Sequence, residues 1–148
     1  MKKVTILCVG KIKESYLTQG IAEYAKRLSR FCSFEIVELP DISGANEVQK
    51  ESDALLGKIK GFCILLDLKG KQLTSPQLSA VMDKAYLTSP EITFVIGGSE
   101  GVDDRVRARA DERVAFGLVT YPHQLMRLIL TEQIYRAFNI SANTPYHK

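Results

Sequence analysis

Few side chains in this sequence offer chemistry. There are two histidines, His123 and His147, and three cysteines, Cys8, Cys32 and Cys63. His123 follows Pro122, where a loop runs into a long helical pattern. Arg127 and Thr131 recur from it at four-residue intervals, so the three share one helix face. An imidazole can accept or deliver a proton near neutral pH, and a guanidinium beside it can hold a phosphate or a carbonyl oxygen. Structural capping would explain His123 equally well, but Arg127 on the same face beside a loop favours a functional reading.

A second feature is Gly97-Gly98-Ser99-Glu100-Gly101, which follows directly on the apolar run Ile92-Thr-Phe-Val-Ile96. Glycines let the backbone turn tightly and approach a ligand closely, although Gly-Gly also serves plain turns. The spacing is neither G-x-G-x-x-G nor G-x-x-x-x-G-K-[ST], so dinucleotide and P-loop motifs are absent; a nucleotide-like ligand held by backbone amides is compatible. The cysteines are odd in number and widely spaced, with no C-x-x-C, which argues against a disulfide framework and a zinc site. Cys8 and Cys63 sit in apolar runs, where a free thiol acts as a small hydrophobe, and Cys32 is read the same way. Two distant histidines make no metal-ligand spacing, so no metal is expected. No G-x-S-x-G elbow or local cysteine nucleophile signature occurs. Glu132 and Arg136, four apart, suit a simple surface pair. The tail, Asn143-Thr-Pro-Tyr-His-Lys148, suits either disorder or an aromatic stacked on a base beside cations.

These residues need elements to position them. Val4 to Val9 reads as a buried strand, followed from Ser15, a good N-cap, by a helix with Leu17, Ile21, Tyr24, Leu28 and Phe31 at helical spacing. Phe34, Ile36 and Leu39 alternate with glutamates in a strand with one exposed face, stopped by Pro40. A charged helix spans 46–60. Phe62 to Leu66 reads as a central strand ending at Asp67. Thr74-Ser75-Pro76 caps and opens the next helix, with Pro at its first position. After the strand 92–96 come a short helix, Asp103 to Asp111, a weak strand, Val114 to Val119, and a last helix from His123 to about Ile140. Strand and helix alternate throughout. The pattern predicts one α/β domain over residues 1–148, with a mainly parallel sheet and helices on both faces. Ligands in such sheets bind outside the carboxyl ends of the strands, here 66–70, 97–101 and 117–121.

Composition agrees with one globular domain: 45% hydrophobic and 25% charged residues, with a formal charge of +3. No apolar run approaches the roughly 20 residues that span a membrane. The N-terminus shows no signal-peptide pattern, so a cytoplasmic location without membrane contact is expected. The charge is uneven, with net +5 in residues 1–30, −3 in 31–60 and +1 in 61–148. Lys26, Arg27 and Arg30 suit a solvated helix face or a basic face for a polyanion.

The whole chain resembles the ribosomal RNA large-subunit methyltransferase H family, of the SPOUT class. The matching stretches include Val9-Gly10-Lys11, Glu23-Tyr24 with Arg27, Leu66-Asp67 with Gly70-Lys71, Phe94 to Gly101, Thr120-Tyr-Pro-His123, Arg127, Glu132 to Ala137, and Pro145-Tyr-His-Lys148. They run in order over nearly the full length. The resemblance implies an α/β trefoil-knot fold and methyl transfer from S-adenosylmethionine to N3 of a pseudouridine in 23S ribosomal RNA of the assembled ribosome. It also implies a homodimer in which one subunit's tail completes the other's site. By position it implies cofactor contacts from Leu66, Gly97, Gly98, Phe116, Gly117, Leu118, Val119, Thr120 and Tyr121. His123 and Arg127 take catalytic roles, and Arg136, Tyr146 and His147 lie on the substrate side. Family members often carry Ser or Leu at Phe116, Gly117 and Tyr121, changes that backbone contacts tolerate.

The chemistry suits those residues. A sulfonium methyl donor is already activated, so the protein needs chiefly to align donor and nucleophile. The imide nitrogen of a uracil ring must lose its proton as the methyl arrives. His123 can accept it or orient the base, with Arg127 on a phosphate or the uracil carbonyl. Glu100 suits either a balancing charge for the sulfonium or a solvated turn. A non-catalytic ribosome-associated RNA-binding protein and an NAD-using α/β protein are the competing readings; the missing dinucleotide motif weighs against the second.

Overall fold

A computed structural model describes residues 1–148. Five strands, β1 (Lys3–Val9), β2 (Ser33–Leu39), β3 (Phe62–Gln72), β4 (Glu91–Ile96) and β5 (Glu112–Ala115), alternate with five helices. The helices are α1 (Ser15–Leu28), α2 (Glu47–Leu56), α3 (Ser75–Tyr86), α4 (Asp104–Arg109) and α5 (His123–Ser141). The strands form one sheet in the order β2-β1-β4-β3-β5, and every pairing is parallel.

The two-residue period of a strand sends alternate side chains to opposite faces. Val4, Ile6 and Cys8 of β1 and Ile92, Phe94 and Ile96 of β4 meet residues of α1, α3 and α5. Leu7, Val9, Leu65 and Val95 meet Leu55 of α2 and Val106 of α4. Helices therefore cover both faces, which is why the inner strands read as continuous apolar runs. The alternation in β2 has its cause in an edge position, beside β1 alone.

Consecutive connections leave on different sides of the sheet. Strands β1 and β3 lead to α1 and α3 on one face, whereas β4, between them, leads to α4 on the other. The chain thus parts on both flanks of β4 at its carboxyl end, opening a crevice on each side.

Several boundaries differ from the sequence reading. Strand β3 does not end at Asp67: Leu66 and Lys71 both pair with Val114, so residues 67–70 loop out and the strand resumes. Gly70 permits this because a Cβ there would lie 2.6 Å from the Arg113 carbonyl carbon. Strand β5 stops at Ala115, and residues 116–122 form a loop rather than strand. Glu14, not Ser15, is the N-cap of α1, with no side-chain cap bond. Thr74 caps α3 in a capping box with Gln77, and Pro76 follows one residue inside the helix start. Helices α2 and α4 are shorter than their patterns, because end residues of amphipathic stretches leave the helix first. The tail packs against α5 through Tyr146, whose ring lies 4.7 Å from that of Tyr135 and whose hydroxyl donates to Glu132.

Candidate active site

The larger crevice lies between the carboxyl ends of β3, β4 and β5. It is a cavity of about 740 Å³, half of whose lining residues are apolar, within the range of small-molecule sites. Its walls are the looped-out segment of β3, the glycine turn after β4, the start of α4 and the loop leading to α5. Of the residues implied as cofactor contacts, Leu66, Gly97, Gly98, Phe116, Val119, Thr120 and Tyr121 line it. Gly117 and Leu118 do not: Gly117 takes φ +96° to turn the loop, and Leu118 points to solvent at 83% exposure. No backbone hydrogen bond joins Phe116–Tyr121 to the rest of the chain. Their donors and acceptors are free for water or a ligand.

The glycine turn is fixed by its neighbours. A Cβ on Gly97 would lie 2.8 Å from Val102 Cγ1, and one on Gly98 would lie 2.6 Å from Oε1 of Glu51. Glu51, on α2, is 6% exposed, and its Oε2 accepts the Ile42 amide at 3.0 Å. A single carboxylate thus bonds the loop after β2 and packs against the turn after β4.

The smaller crevice, about 140 Å³, lies between the ends of β1 and β4. Gly98, Ser99 and His123 line both cavities. His123 is exposed at the first turn of α5 and stands at their junction.

Arg127 occupies a position other than the one expected. It is 1% exposed; Nη1 donates to Glu38 Oε2 at 2.9 Å and Nη2 donates to the Val9 carbonyl at 2.8 Å. The same Glu38 oxygen accepts the Ile12 amide at 2.9 Å, and the Lys13 amide donates to Gln124 Oε1 at 3.0 Å. Arg127 therefore clamps the loop after β1 to α5 and has no free hand for an exposed phosphate or base. Its Nε is buried and has no partner. Burial pushes the neighbouring Cys8 thiol up to about 11, with Arg127 pulling the other way and Glu38 adding to the rise.

Arg136, Tyr146 and His147 form a separate cluster. Tyr146 donates its hydroxyl to Glu132 Oε2 at 2.7 Å, and Arg136 pairs with the same oxygen at 2.7 Å. Arg136 also stacks 4.8 Å from the Tyr146 ring centroid, and its Nη1 lies 3.1 Å from Nδ1 of His147. Burial first, then the Glu132 hydrogen bond, raises the Tyr146 phenol above its ordinary value. Glu132–Arg136 is thus the centre of a partly buried network, not a simple surface pair. At 1.5 Å per residue, Arg136 lies about 20 Å along α5 from His123, so this cluster and the cavities do not meet within one chain.

Asp67, which the sequence placed only within the candidate ligand loop 66–70, and Asp104, to which it gave no site role, also line the larger cavity, whereas the exposed Glu100 lines neither. Nothing in a single sequence separates these carboxylates from other turn residues.

Fold and crevices define a class: a doubly wound parallel α/β domain with a crevice of small-molecule size across β3, β4 and β5, beside a smaller polar pocket. Residues 1–147 match the family described as "Predicted SPOUT methyltransferase". The ribosomal RNA large subunit methyltransferase H of Pediococcus pentosaceus is 54% identical over 157 residues, covering 98% of this chain and 99% of that protein. Its counterpart in Streptococcus pyogenes is 49% identical over 161 residues, covering 99% of each. Among solved structures, a probable methylase family protein from Haemophilus influenzae superimposes with a TM-score of 0.55 at 10% identity, covering 98% of this chain and 70% of that one. The chain belongs to the SPOUT methyltransferases, in the ribosomal RNA large subunit methyltransferase H family. The resemblance drawn from the sequence is borne out, and with it the α/β fold of the SPOUT methyltransferases.

Proposed function

We propose that this protein methylates N3 of a pseudouridine in 23S ribosomal RNA of the assembled ribosome, using S-adenosylmethionine and working as a homodimer in the cytoplasm. The observation that carries the reading is His123, held at the junction of the two cavities, with its exposed ring beside the larger one. The larger cavity fits the cofactor in kind: half its lining is apolar, and the Phe116–Tyr121 backbone carries unpaired donors and acceptors suited to a purine and ribose. When bound, S-adenosylmethionine supplies a methyl group on a sulfonium centre, already activated toward a nucleophile.

The residues of the chain then have three tasks. The glycine turn and the 116–121 loop fix the donor side, and Glu51 keeps the turn from drifting. His123 accepts the proton that N3 must lose, or holds the base while water takes it. Arg127, bonded to Glu38 of β2 and to the Val9 carbonyl of β1, fixes the start of α5, and so the imidazole, against the sheet. The tail cluster, about 20 Å away along α5, would serve a second subunit's site, which supports the homodimer. The relatives' names support ribosomal RNA as substrate. The target nitrogen and the requirement for assembled ribosomes rest on the family resemblance.

Single-turnover methyl transfer to ribosomes from cells lacking the gene tests this directly. Wild-type protein should label the large-subunit RNA, and His123→Ala should bind S-adenosylhomocysteine normally but transfer at least a hundredfold more slowly. Wild-type rates from His123→Ala would remove His123 from the chemistry. No transfer by the wild type would leave a binding protein.

A further inference from the structure

Where β3 breaks its ladder, residues 67–70 loop out between Leu66 and Lys71, and Asp67 stands in the wall of the larger cavity together with Arg113 of β5. We propose that this pair reads the amino-acid end of the methyl donor, Asp67 taking its α-ammonium and Arg113 its α-carboxylate; the assignment rests on the reading of that cavity as the donor's site.

The pair is open to a ligand and not closed on itself. Asp67 Oδ2 lies 3.6 Å from Nη1 of Arg113, too far for a hydrogen bond. Arg113 donates no hydrogen bond elsewhere, so its planar fork of five donors is free. Asp67 Oδ1 accepts the Lys69 amide at 3.0 Å, which fixes the carboxylate and leaves Oδ2 without a donor. The Asp67 side chain is only 16% exposed, so the free oxygen belongs to the cavity and not to bulk water. The other acid and arginine of the wall behave differently: Arg107 donates to Asp104, three residues before it on α4, at 2.7 Å, and the Asp104 side chain is fully exposed. That pair satisfies itself at the surface. Charge decides which part of the donor suits Asp67 and Arg113. Adenosine carries no formal charge and fits the apolar and backbone-lined remainder of the cavity, whereas the amino-acid end carries one charge of each sign. A carboxylate alone would suit a ribose diol equally; the free guanidinium beside it calls for a carboxylate in the ligand. Lys69, also in the wall, adds to that attraction.

Calorimetric titration of the full-length protein with three ligands tests this: S-adenosylhomocysteine, its decarboxylated analogue, which keeps the ammonium alone, and 5′-methylthioadenosine, which keeps only the nucleoside. Arg113→Met should bind S-adenosylhomocysteine about tenfold more weakly, the loss of one charge-assisted contact in a half-open site, and bind the other two as the wild type does. Asp67→Asn, whose side-chain oxygen can still accept the Lys69 amide, should weaken S-adenosylhomocysteine and the decarboxylated analogue by a similar factor and leave methylthioadenosine unchanged. Unchanged methylthioadenosine binding also shows that both variants are folded. Wild-type affinity for S-adenosylhomocysteine in both variants would overturn the assignment and leave the donor site standing. A parallel loss of methylthioadenosine would overturn it too, since that is the mark of a ribose contact or a damaged cavity. A wild-type protein that bound none of the three would overturn the donor site itself, and the assignment with it.

Discussion

Replacing Gly98 with alanine isolates the link between the glycine turn and α2. The new Cβ would stand 2.6 Å from Oε1 of Glu51. An ordinary contact begins near 3.4 Å, so turn and carboxylate must separate by about 0.8 Å. Glu51 is 6% exposed and cannot swing into water without losing its 3.0 Å bond from the Ile42 amide. Overpacking of this kind costs about 1–3 kcal/mol, and the lost hydrogen bond about 1 kcal/mol more. A total near 2–4 kcal/mol corresponds to a Tm lowered by about 5–15 °C for a domain of this size. Calorimetric titration should show S-adenosylhomocysteine binding about tenfold weaker, because the displaced backbone lines its cavity. The decisive assay is the double-mutant cycle with Glu51→Ala, which removes the obstructing oxygen. Gly98→Ala/Glu51→Ala should be at least about 1 kcal/mol more stable than the sum of the single changes implies. Additivity within about 0.5 kcal/mol would refute the contact as the reason for glycine.

Other expectations follow from the same geometry. Arg127→Leu should unfold earlier by about 2–3 kcal/mol in denaturant melts, since Glu38 and the Val9 carbonyl lose their partner, while a free surface arginine would cost almost nothing. Burial raises the thiols of Cys8, Cys32 and Cys63 from near 9 to about 11. The unfolded chain therefore releases these protons first, so stability should be intact below pH 9 and fall between about pH 9 and 11, as pH-dependent melts can show. The same thiols should resist a thiol reagent in the native state at pH 8 and react on unfolding. Tyr146→Phe removes the hydroxyl bond to Glu132 and should speed carboxypeptidase trimming of the tail without changing cofactor affinity. If the tail serves a partner, mixing inactive His123→Ala and Tyr146→Ala subunits should restore part of the activity; no recovery would remove the shared site.

Much of the fold was legible because each inner strand is buried on both faces and each helix carries one apolar stripe. Val4–Val9 and Ile92–Ile96 could hardly be anything but central strands, and Thr74-Ser75-Pro76 announced the start of α3. The irregular parts were not legible. The looped-out 67–70 segment depends on Val114 pairing twice, a long-range register that local pattern cannot encode. The 116–119 stretch looked like strand because Phe116, Leu118 and Val119 are apolar, yet they face a cavity or solvent. For the site, His123 and the glycine turn stood out by type and spacing. Arg127 was found, but its ion pair with Glu38 was invisible, because the partner lies 89 residues away on an edge strand that carries a second exposed glutamate, Glu35. Glu51 was hidden in a charged helix for the same reason.

The most direct measurement of the proposed activity is mass spectrometry of large-subunit RNA from cells with and without this gene, followed by treatment of the deficient ribosomes with purified protein and S-adenosylmethionine. One pseudouridine should lose a methyl group at N3 when the gene is absent and regain it on treatment, with naked RNA a poor substrate. An identical modification pattern in the two strains, with no methyl transfer on treatment, would contradict it.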